Sequence, residues 1–182
     1  MKNITDEELM GLVREGNLDV MHYLFQRYRI KIYNFCFQMT RDKDLCKDIT
    51  QEVFYKVLKH RKTYRQNRFS SWIYAIARNH CKDHYKIQNK TQRLNDKDLK
   101  DIYQINETKS EPLGNLRQLN FALNQLSSSD RELIVMGKYQ NLKYQEIAEI
   151  TNSTSGAVKT KMHRAMQKLK DCYFLKTKHH EL

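Results

Sequence analysis

Residues 144–165 read YQEIAEITNSTSGAVKTKMHRA. The spacing of their apolar side chains predicts a helix from Tyr144 to Ile150 and another from Ser155 to about Tyr173, with four residues between them. A connection of this length is typical of a helix-turn-helix. Asn152 is suited to the left-handed backbone conformation that often ends a helix, and Thr154 is suited to cap the helix that follows. The stretch therefore predicts an all-α fold built around a helical hairpin.

The second helix of this hairpin has two different faces. Val158, Met162, Ala165 and Leu169 recur at three- and four-residue steps, so they form an apolar stripe that faces a core. The helix opens on small residues, which lets its N-terminus and free N–H groups come close to a phosphate or a base edge. Such a hairpin is also compatible with a purely structural role. We expect DNA binding through the remaining, outward-facing residues Ser155, Gly156, Lys159, Thr160, His163 and Arg164.

Four helices are predicted in the N-terminal half of the chain. Thr5 and Glu8 have the spacing of a capping box, which opens a first helix that ends by Gly16. A second helix runs from Asn17, a third begins at Asp42, and a fourth follows a polar loop. The second helix is expected to face the core with the stripe Met21, Leu24, Phe25, Tyr28, Ile32 and Phe35.

A stretch without helical periodicity separates the two sets of helices. Residues 88–112 are rich in Asn, Asp, Lys and Gln, a composition typical of a linker. The C-terminal set begins with predicted helices over 116–126 and 130–139. We therefore predict two small helical domains, residues 1–90 and 113–175, joined by a flexible linker, 91–112, and followed by a tail, 176–182.

The composition fits this organisation and excludes several other classes. The chain has 182 residues, of which 40% are hydrophobic, and only five Gly and one Pro, too few turn-forming residues for a β-sandwich or barrel. No apolar stretch approaches the ~20 residues of a membrane span, and the N-terminus is too polar and acidic for a signal peptide. We expect a cytoplasmic protein without membrane insertion.

The sequence contains no recognisable redox, metal or hydrolase motif. Its four cysteines form no C-x-x-C pair and lie in predicted helices, so we expect reduced and mostly buried thiols. His80 and His84, with Cys81 between them, have metal-binding helical spacing but no second cluster of ligands elsewhere in the sequence. The Walker A, G-x-S-x-G and H-E-x-x-H motifs do not occur. We expect no metal, no cofactor and no enzymatic activity.

Positive charge is concentrated in two parts of the chain. Lys and Arg outnumber Asp and Glu by 33 to 21, a formal net charge of +12. Residues 56–93, the basic segment, hold 11 basic residues against Asp83 alone, and residues 151–182 are also basic. Such a surface is typical of a protein that binds phosphate backbones, because each neutralised phosphate releases condensed counterions. A solvated basic face without a partner is the simpler alternative.

Four motifs resemble those of a known family. Residues 44–54, DLCKDITQEVF, and residues 69–79, FSSWIYAIARN, resemble the two central motifs of domain 2 of the sigma-70 family of bacterial transcription initiation factors. Parts of residues 126–132 and 144–165 resemble domain 4 of the same family. Because no large domain lies between the two, the chain looks like a member of the extracytoplasmic-function (ECF) subfamily.

The resemblance implies a non-enzymatic factor that binds core RNA polymerase, directs it to promoters and helps to open the duplex. It implies that the helix containing residues 48–54 docks on the coiled coil of the largest polymerase subunit. Polar residues of this helix recur at three- and four-residue steps, so they can reach a partner helix together, although an ordinary solvated face would also be polar. The predicted polymerase contacts are Asp48, Gln51, Glu52 and Lys56.

The resemblance also assigns residues 63–79 to capture of the non-template strand of the minus-ten promoter element. The segment offers cations, amides and the aromatic rings of Phe69, Trp72 and Tyr74, a mixture suited to unpaired bases, although we expect Trp72 in the core. The resemblance assigns recognition of the minus-thirty-five element, as duplex DNA, to the outward face of the last helix. The predicted minus-ten contacts are Tyr64, Arg65, Gln66, Asn67, Arg68, Arg78 and Asn79.

The chain departs from the family pattern in the last helix and in the turn before it. Lys161 replaces a common Arg, Ala157 a common Thr, and Ser153 a usual apolar residue, so promoter preference does not transfer from relatives. Relatives are often held inactive by an anti-sigma factor that covers both DNA-binding domains. The flexibly linked layout would allow this, so we expect an anti-sigma factor among the partners.

Two other functions stay open from the sequence. A helix-turn-helix repressor or activator would use the last helix while its first domain bound an effector or dimerised, but the core-binding and strand-capture motifs count against it. An enzyme of nucleic-acid metabolism would need paired carboxylates near the basic segment, where Asp83 stands alone.

Overall fold

The computed structural model describes residues 4–65, 68–92 and 113–175, and within these ranges it contains eight α-helices and no β-strand. The predicted all-α fold is confirmed. Short 3-10 segments at Leu18–Val20 and Arg61–Thr63 and a π-helical turn at Val135–Tyr139 lie between helices. The α-helices are α1 Asp6–Glu15, α2 Met21–Thr40, α3 Lys43–Lys59, α4 Phe69–Gln92, α5 Leu113–Gln125, α6 Ser128–Ile134, α7 Tyr144–Thr151 and α8 Ser155–Leu175.

Local sequence signals bound helices α1, α7 and α8 as predicted, whereas the second helix begins at Met21, after a 3-10 segment, and not at Asn17. The N–H of Thr5 donates to the Glu8 carboxylate at 2.8 Å, and the N–H of Glu8 donates to Thr5 Oγ1 at 3.2 Å, which makes the capping box. Gly16 follows α1 with a φ of 109°, a conformation that costs glycine little. Asn152 ends α7 with a φ of 50°. Thr154 Oγ1 accepts the N–H three residues on at 3.2 Å and so caps α8.

Helices α1 to α4 enclose the first part of the core. Helix α2 packs on α3 and α4 and buries Leu24, Ile32 and Phe35 as predicted. Phe25 was also predicted to face the core, but 43% of its surface is exposed. It follows Leu24 directly and therefore lies at the rim of the apolar stripe, about 100° around the helix. Its ring makes an edge contact with the ring of Phe54, with centroids 4.8 Å apart.

Helices α5 to α8 enclose the second part of the core. Val158, Met162, Ala165 and Leu169 are buried, which confirms the predicted inner stripe of α8. Gly137, in the π-helical turn, lies directly beneath α8, because a Cβ at this position would come within 2.6 Å of Met162 Cε. The missing side chain lets the turn pack closely on α8.

The two sets of helices pack against each other, mainly through α4 and α7. The sequence did not predict this contact. Helix α4 continues to Gln92, past residue 90, where we predicted the first domain to end. Residues 93–112 of the predicted linker and the predicted tail, 176–182, lie outside the described residues. The domain boundaries therefore remain predictions.

Three of the four cysteines lie in the core. Cys36, Cys46 and Cys81 are buried, Cys172 is half-buried, and all four are free, as expected. Burial raises the pKa of Cys46 to about 11, against the opposing effect of a hydrogen bond with Thr40. A thiol with such a pKa stays protonated at neutral pH and is a poor nucleophile. These cysteines therefore pack as small apolar side chains.

Candidate polymerase and nucleic-acid interfaces

The first candidate surface is the polar side of α3. Asp48 and Gln51 are exposed, and Glu52 and Lys56 are half-buried. The opposite side of the helix is buried against α2 and α4. The structure therefore brings the four predicted polymerase contacts together on one surface, which we call the α3 face.

Two aromatic residues near the α3 face were not predicted as site residues. Tyr55 is 55% exposed, and Lys59 Nζ lies 5.6 Å from the centroid of its ring. Phe25 of α2 is exposed and rests on Phe54 of α3. The position of Tyr55 off the apolar stripe was a usable signal. Phe25 matched the stripe, so periodicity alone misplaced it.

His80 on α4 lies close to the charges of the α3 face. Burial lowers the pKa of His80 below its ordinary value, and the positive charge of Lys56 lowers it further. The negative charges of Glu52 and Asp83 oppose this effect. Its Nε2 atom is buried and makes no hydrogen bond. The geometry thus favours a neutral imidazole.

The second candidate surface is the beginning of α4 with the loop before it. Arg65 and Asn79 are exposed, and Arg68 is half-buried. The predicted contacts Gln66 and Asn67 lie outside the described residues. The surface keeps cationic groups near the start of α4, as predicted, but its aromatic residues are placed differently.

Tyr64 was predicted to contact DNA, and the structure corrects this. Only 3% of its surface is exposed, because its ring packs 5.2 Å from the ring of Trp72 and 6.4 Å from that of Phe69. Phe69 and Tyr74 are also buried, and Trp72 is half-buried. Burial raises the pKa of Tyr64 to about 12. Tyr64, Phe69 and Tyr74 are therefore not available as stacking platforms in this conformation, whereas Trp72 keeps part of its surface exposed.

Helix α1 holds the start of α4 in place. The N–H of Phe69 donates to Glu7 Oε1 at 3.0 Å, so a side chain distant in sequence caps α4. Arg14 Nη1 donates to the carbonyl oxygen of Tyr64 at 3.5 Å. Neither contact could be predicted from local patterns, because 62 and 50 positions separate the partners. Together the two contacts hold Tyr64 and Phe69 against α1.

Two serines at the start of α4 are bonded to glutamates of α7. Ser70 Oγ donates to Glu146 Oε1, and Ser71 Oγ donates to Glu149 Oε2, both at 2.5 Å. Glu146 also accepts the N–H of Lys143 and thereby caps α7. These contacts join the second surface to the second domain.

Arg78 was predicted to contact the DNA strand, but its side chain is bonded to other residues of the protein. Its Nε atom lies 2.8 Å from Glu132 Oε1, and its Nη1 atom donates to the carbonyl oxygen of Ile150 at 3.4 Å. Lys82 Nζ approaches the same glutamate at 3.8 Å. The Arg78 side chain is 17% exposed and that of Glu132 only 6%. Arg78 therefore faces the second domain, whereas it was predicted to face DNA.

The third candidate surface is the outer side of α8, which we call the α8 face. All six predicted contacts on it are exposed, above the buried stripe. The space that a Cβ would take at Gly156 is open, so the N-terminus of α8 is accessible. Lys161, on the same helix, is exposed as well. The six residues are Ser155, Gly156, Lys159, Thr160, His163 and Arg164.

The predicted metal spacing on α4 does not form a cluster in the structure. Cys81 is buried, whereas His84, three residues on, is exposed. Among all the residues that the structure describes, no three His, Cys, Asp or Glu side chains are grouped to hold a metal ion. None of the described helices is both long and apolar enough to cross a membrane.

Comparison with known families identifies the class of protein. Residues 24–91 match the family Sigma-70 region 2, and residues 116–169 match the family Sigma-70, region 4. Together the two matches cover more than half of the chain. The chain belongs to the sigma-70 family of RNA polymerase sigma factors, in its ECF subfamily. It directs promoter-specific transcription.

Individual relatives agree with this assignment. The ECF RNA polymerase sigma factor SigM of Bacillus subtilis is 26% identical over 82% of this chain and 93% of its own length. The solved structure of CnrH in complex with the cytosolic domain of CnrY covers 91% of this chain and 95% of that one, with a TM-score of 0.71 and 18% identity. RpoE from Bartonella quintana, solved with the anti-sigma factor NepR, covers 83% and 94% with a TM-score of 0.71 and 19% identity. At these identities the two structures support the fold alone.

Proposed function

We propose that each of the three surfaces has one of the binding functions of a sigma factor. The α3 face binds core RNA polymerase, the beginning of α4 with its loop captures the non-template strand of the minus-ten element, and the α8 face reads the minus-thirty-five element as duplex. The observation that carries the proposal is the α8 face, where six predicted contacts lie exposed on the second helix of a helix-turn-helix.

The α8 face has the chemistry to meet duplex DNA. Lys159 and Arg164 bring positive charge, and the small residues at the start of α8 allow close approach of its free N–H groups. Basic side chains on such a helix bind phosphates and base edges in the major groove. The promoter sequence that the α8 face recognises does not transfer from relatives, because Ala157 and Lys161 depart from the family pattern.

The α3 face has the chemistry to meet a protein helix. Asp48 and Gln51 are exposed, and the aromatic side chain of Tyr55 lies beside them. A polar surface with an exposed aromatic residue is typical of a protein interface, in which aromatic residues are enriched and carry much of the binding energy. We assign this face to core polymerase.

Further partners follow from the same role. RpoE of Bartonella quintana was solved with an anti-sigma factor, and we propose an anti-sigma factor as a partner of this chain too. We also propose that the chain acts in the cytoplasm, where core polymerase transcribes the chromosome, and by binding rather than by catalysis, as sigma factors do.

Reconstituted transcription tests the proposal. The purified chain is mixed with core polymerase and genomic DNA fragments of the organism that encodes it, and the transcripts are sequenced. We expect new start sites that share two upstream elements. Reversing the charge of the α3 face, with Asp48→Lys and Glu52→Lys together, should abolish these transcripts and co-purification with polymerase, while circular dichroism stays helical.

A matched variant controls for net charge. Glu15→Lys with Asp19→Lys makes the same charge change at exposed positions that are not part of the α3 face, and it should leave transcription intact. If the α3 variant still co-purified with polymerase at the wild-type level, the assignment of the α3 face would be wrong.

A further inference from the structure

A cavity of about 330 Å³ lies between α4, α6 and the helix-turn-helix of α7 and α8, and we call it the α6–α8 cavity. Its volume is at the lower end of the range of ligand-binding pockets, about 300–1,000 Å³. Four cationic side chains and two carboxylates line it, so the cavity carries an excess of positive charge. The cations are Arg78, Lys161, Arg164 and Lys168, and the carboxylates are those of Asp130 and Glu132.

Two of the four cations are already paired inside the protein. Arg78 Nε lies 2.8 Å from Glu132 Oε1, which joins α4 to α6. Lys168 Nζ lies 2.7 Å from Asp130 Oδ2, which joins α8 to α6. These two pairs neutralise both carboxylates of the cavity and connect its walls. The positive charge that remains is that of Lys161 and Arg164.

The side chains of Lys161 and Arg164 have no anionic partner of their own. Neither makes an ion pair or a hydrogen bond with any other residue in the ranges that the structure describes. The two residues are three positions apart on α8, so they lie on the same side of the helix. Both are exposed, so solutes can reach them. Two neighbouring unpaired cations that line one cavity attract an anionic ligand.

The α6–α8 cavity also offers a hydroxyl group and apolar surface. Ser153, in the turn before α8, lines the cavity, although the family pattern usually has an apolar residue at this position. Its hydroxyl group makes no hydrogen bond to the described part of the chain. Leu133 and Val158 are buried and line the same cavity. A ligand can therefore place an anionic group near the cations and an organic part against these two side chains.

A phosphate monoester fits these groups better than a carboxylate does. It carries a charge of about −1.5 to −2 at neutral pH and has three acceptor oxygens, which matches two unpaired cations and a hydroxyl group. Arg binds such oxygens with a planar fork of donors, and Lys binds them as a point charge. A single carboxylate would neutralise only one of the two cations. The small volume of the cavity limits the organic part of the ligand.

We propose that the α6–α8 cavity is a binding site for a small phosphate monoester, which Lys161, Arg164 and the hydroxyl group of Ser153 hold by its phosphate. This site goes beyond promoter binding, because its ligand is a small molecule. A phosphate of the DNA backbone is the other source of the same chemistry, so the experiment compares the two.

Titration of the full chain with small phosphates tests the proposal. The probes are glycerol phosphate and adenosine monophosphate, and glycerol and adenosine are their uncharged counterparts. Isothermal titration calorimetry is done at an ionic strength of about 0.15 M, where interactions between exposed, distant charges are largely screened. We expect at least one of the two esters to bind, and neither uncharged counterpart. Lys161→Gln should weaken binding of the ester about 10-fold, the scale of one charge-assisted hydrogen bond.

Two further variants separate the cavity from net charge. Ser153→Val removes the hydroxyl group and restores an apolar side chain, so we expect it to fold, as circular dichroism would show, and to bind the ester more weakly. Lys170→Gln is the matched control for Lys161→Gln. It makes the same charge change at an exposed position of α8 that does not line the α6–α8 cavity, and it should keep the wild-type affinity for the ester.

A second titration, with a short DNA duplex of random sequence, distinguishes the two sources of phosphate. Loss of ester binding by Ser153→Val with unchanged duplex binding would support the proposal. Equal losses of ester and duplex binding in Ser153→Val and Lys161→Gln would assign these residues to the DNA backbone and overturn it.

The remaining outcomes are equally decisive. If neither ester bound, or if Lys170→Gln weakened binding as much as Lys161→Gln, the proposal would be wrong. If the wild type bound an ester in the expected way but no duplex, the role proposed above for the α8 face would fail and the ligand site would stand.

Discussion

Arg164 offers the most direct test at the scale of a single residue, because it is exposed on the α8 face. The target is a duplex selected from a random library. If Arg164 reads a base, we expect Arg164→Ala to weaken binding to this duplex by ~1–3 kcal/mol. If Arg164 contacts a phosphate, we expect the slope of the logarithm of the binding constant against the logarithm of salt concentration to fall by about one. Titrations at several salt concentrations separate the two. Lys170→Ala, which removes an exposed charge near the end of α8, should change neither quantity.

His80 gives a prediction on pH at the same scale. Its pKa is lowered in the folded chain, chiefly by burial and then by Lys56, so the unfolded chain takes up the proton at higher pH. The stability that the neutral imidazole provides is present above the ordinary His pKa and is lost as the pH falls toward the folded value. Between roughly pH 7 and pH 5, urea unfolding of His80→Gln should depend less on pH than that of the wild type.

The corresponding change at His84 is the comparison for this experiment. His84 lies four residues further along α4 and is exposed, and its positive charge is the smallest of the causes that lower the pKa of His80. His84→Gln should therefore reduce the dependence of stability on pH by less than His80→Gln does. If the free energy of unfolding depended on pH in the same way in the wild type and in His80→Gln, the effect assigned to His80 would be contradicted.

At the scale of a helix, the cap of α8 is the clearest case. Thr154 Oγ1 accepts the N–H of Ala157, so Thr154→Ala leaves that donor without its cap and should lower the free energy of unfolding by about 1 kcal/mol. Thermal or urea unfolding measures this loss. Thr160→Ala removes a hydroxyl group within the same helix, where alanine is the better helix former, and should not destabilise the chain. Equal stability of the two variants would argue against the cap.

At the scale of the whole molecule, promoter opening connects the two domains. Asn79 is exposed near the covered side of α4, and Asn79→Ala should reduce the permanganate reactivity of unpaired thymines in a promoter complex. Polymerase binding should persist, because it depends on the α3 face. Asn124→Ala, an exposed change on α5, should leave opening unchanged. Wild-type opening by Asn79→Ala would remove Asn79 from the strand-capture surface.

Much of the molecule follows from short-range patterns in the sequence. The capping box of Thr5 and Glu8, the turn at Asn152 and the inner stripe of α8 depend on residues a few positions apart, so local sequence determines them. The outward direction of the α8 face follows, because the opposite side of the helix must be buried. The four motifs likewise predicted the sigma-70 family correctly.

Only the tertiary structure decided where Tyr64, Phe25 and Arg78 lie. An aromatic residue in a basic loop is compatible both with contacting DNA and with burial in the core. The packing of the Tyr64 ring against Trp72 shows that Tyr64 is a core residue. Arg78 meets Glu132, 54 positions away, through contacts between helices that no local pattern encodes. The sequence by itself therefore determined the helices, their caps and the family. The covering of α4 by α6 and α7 depends on the packing of distant segments, which only the folded chain brings together.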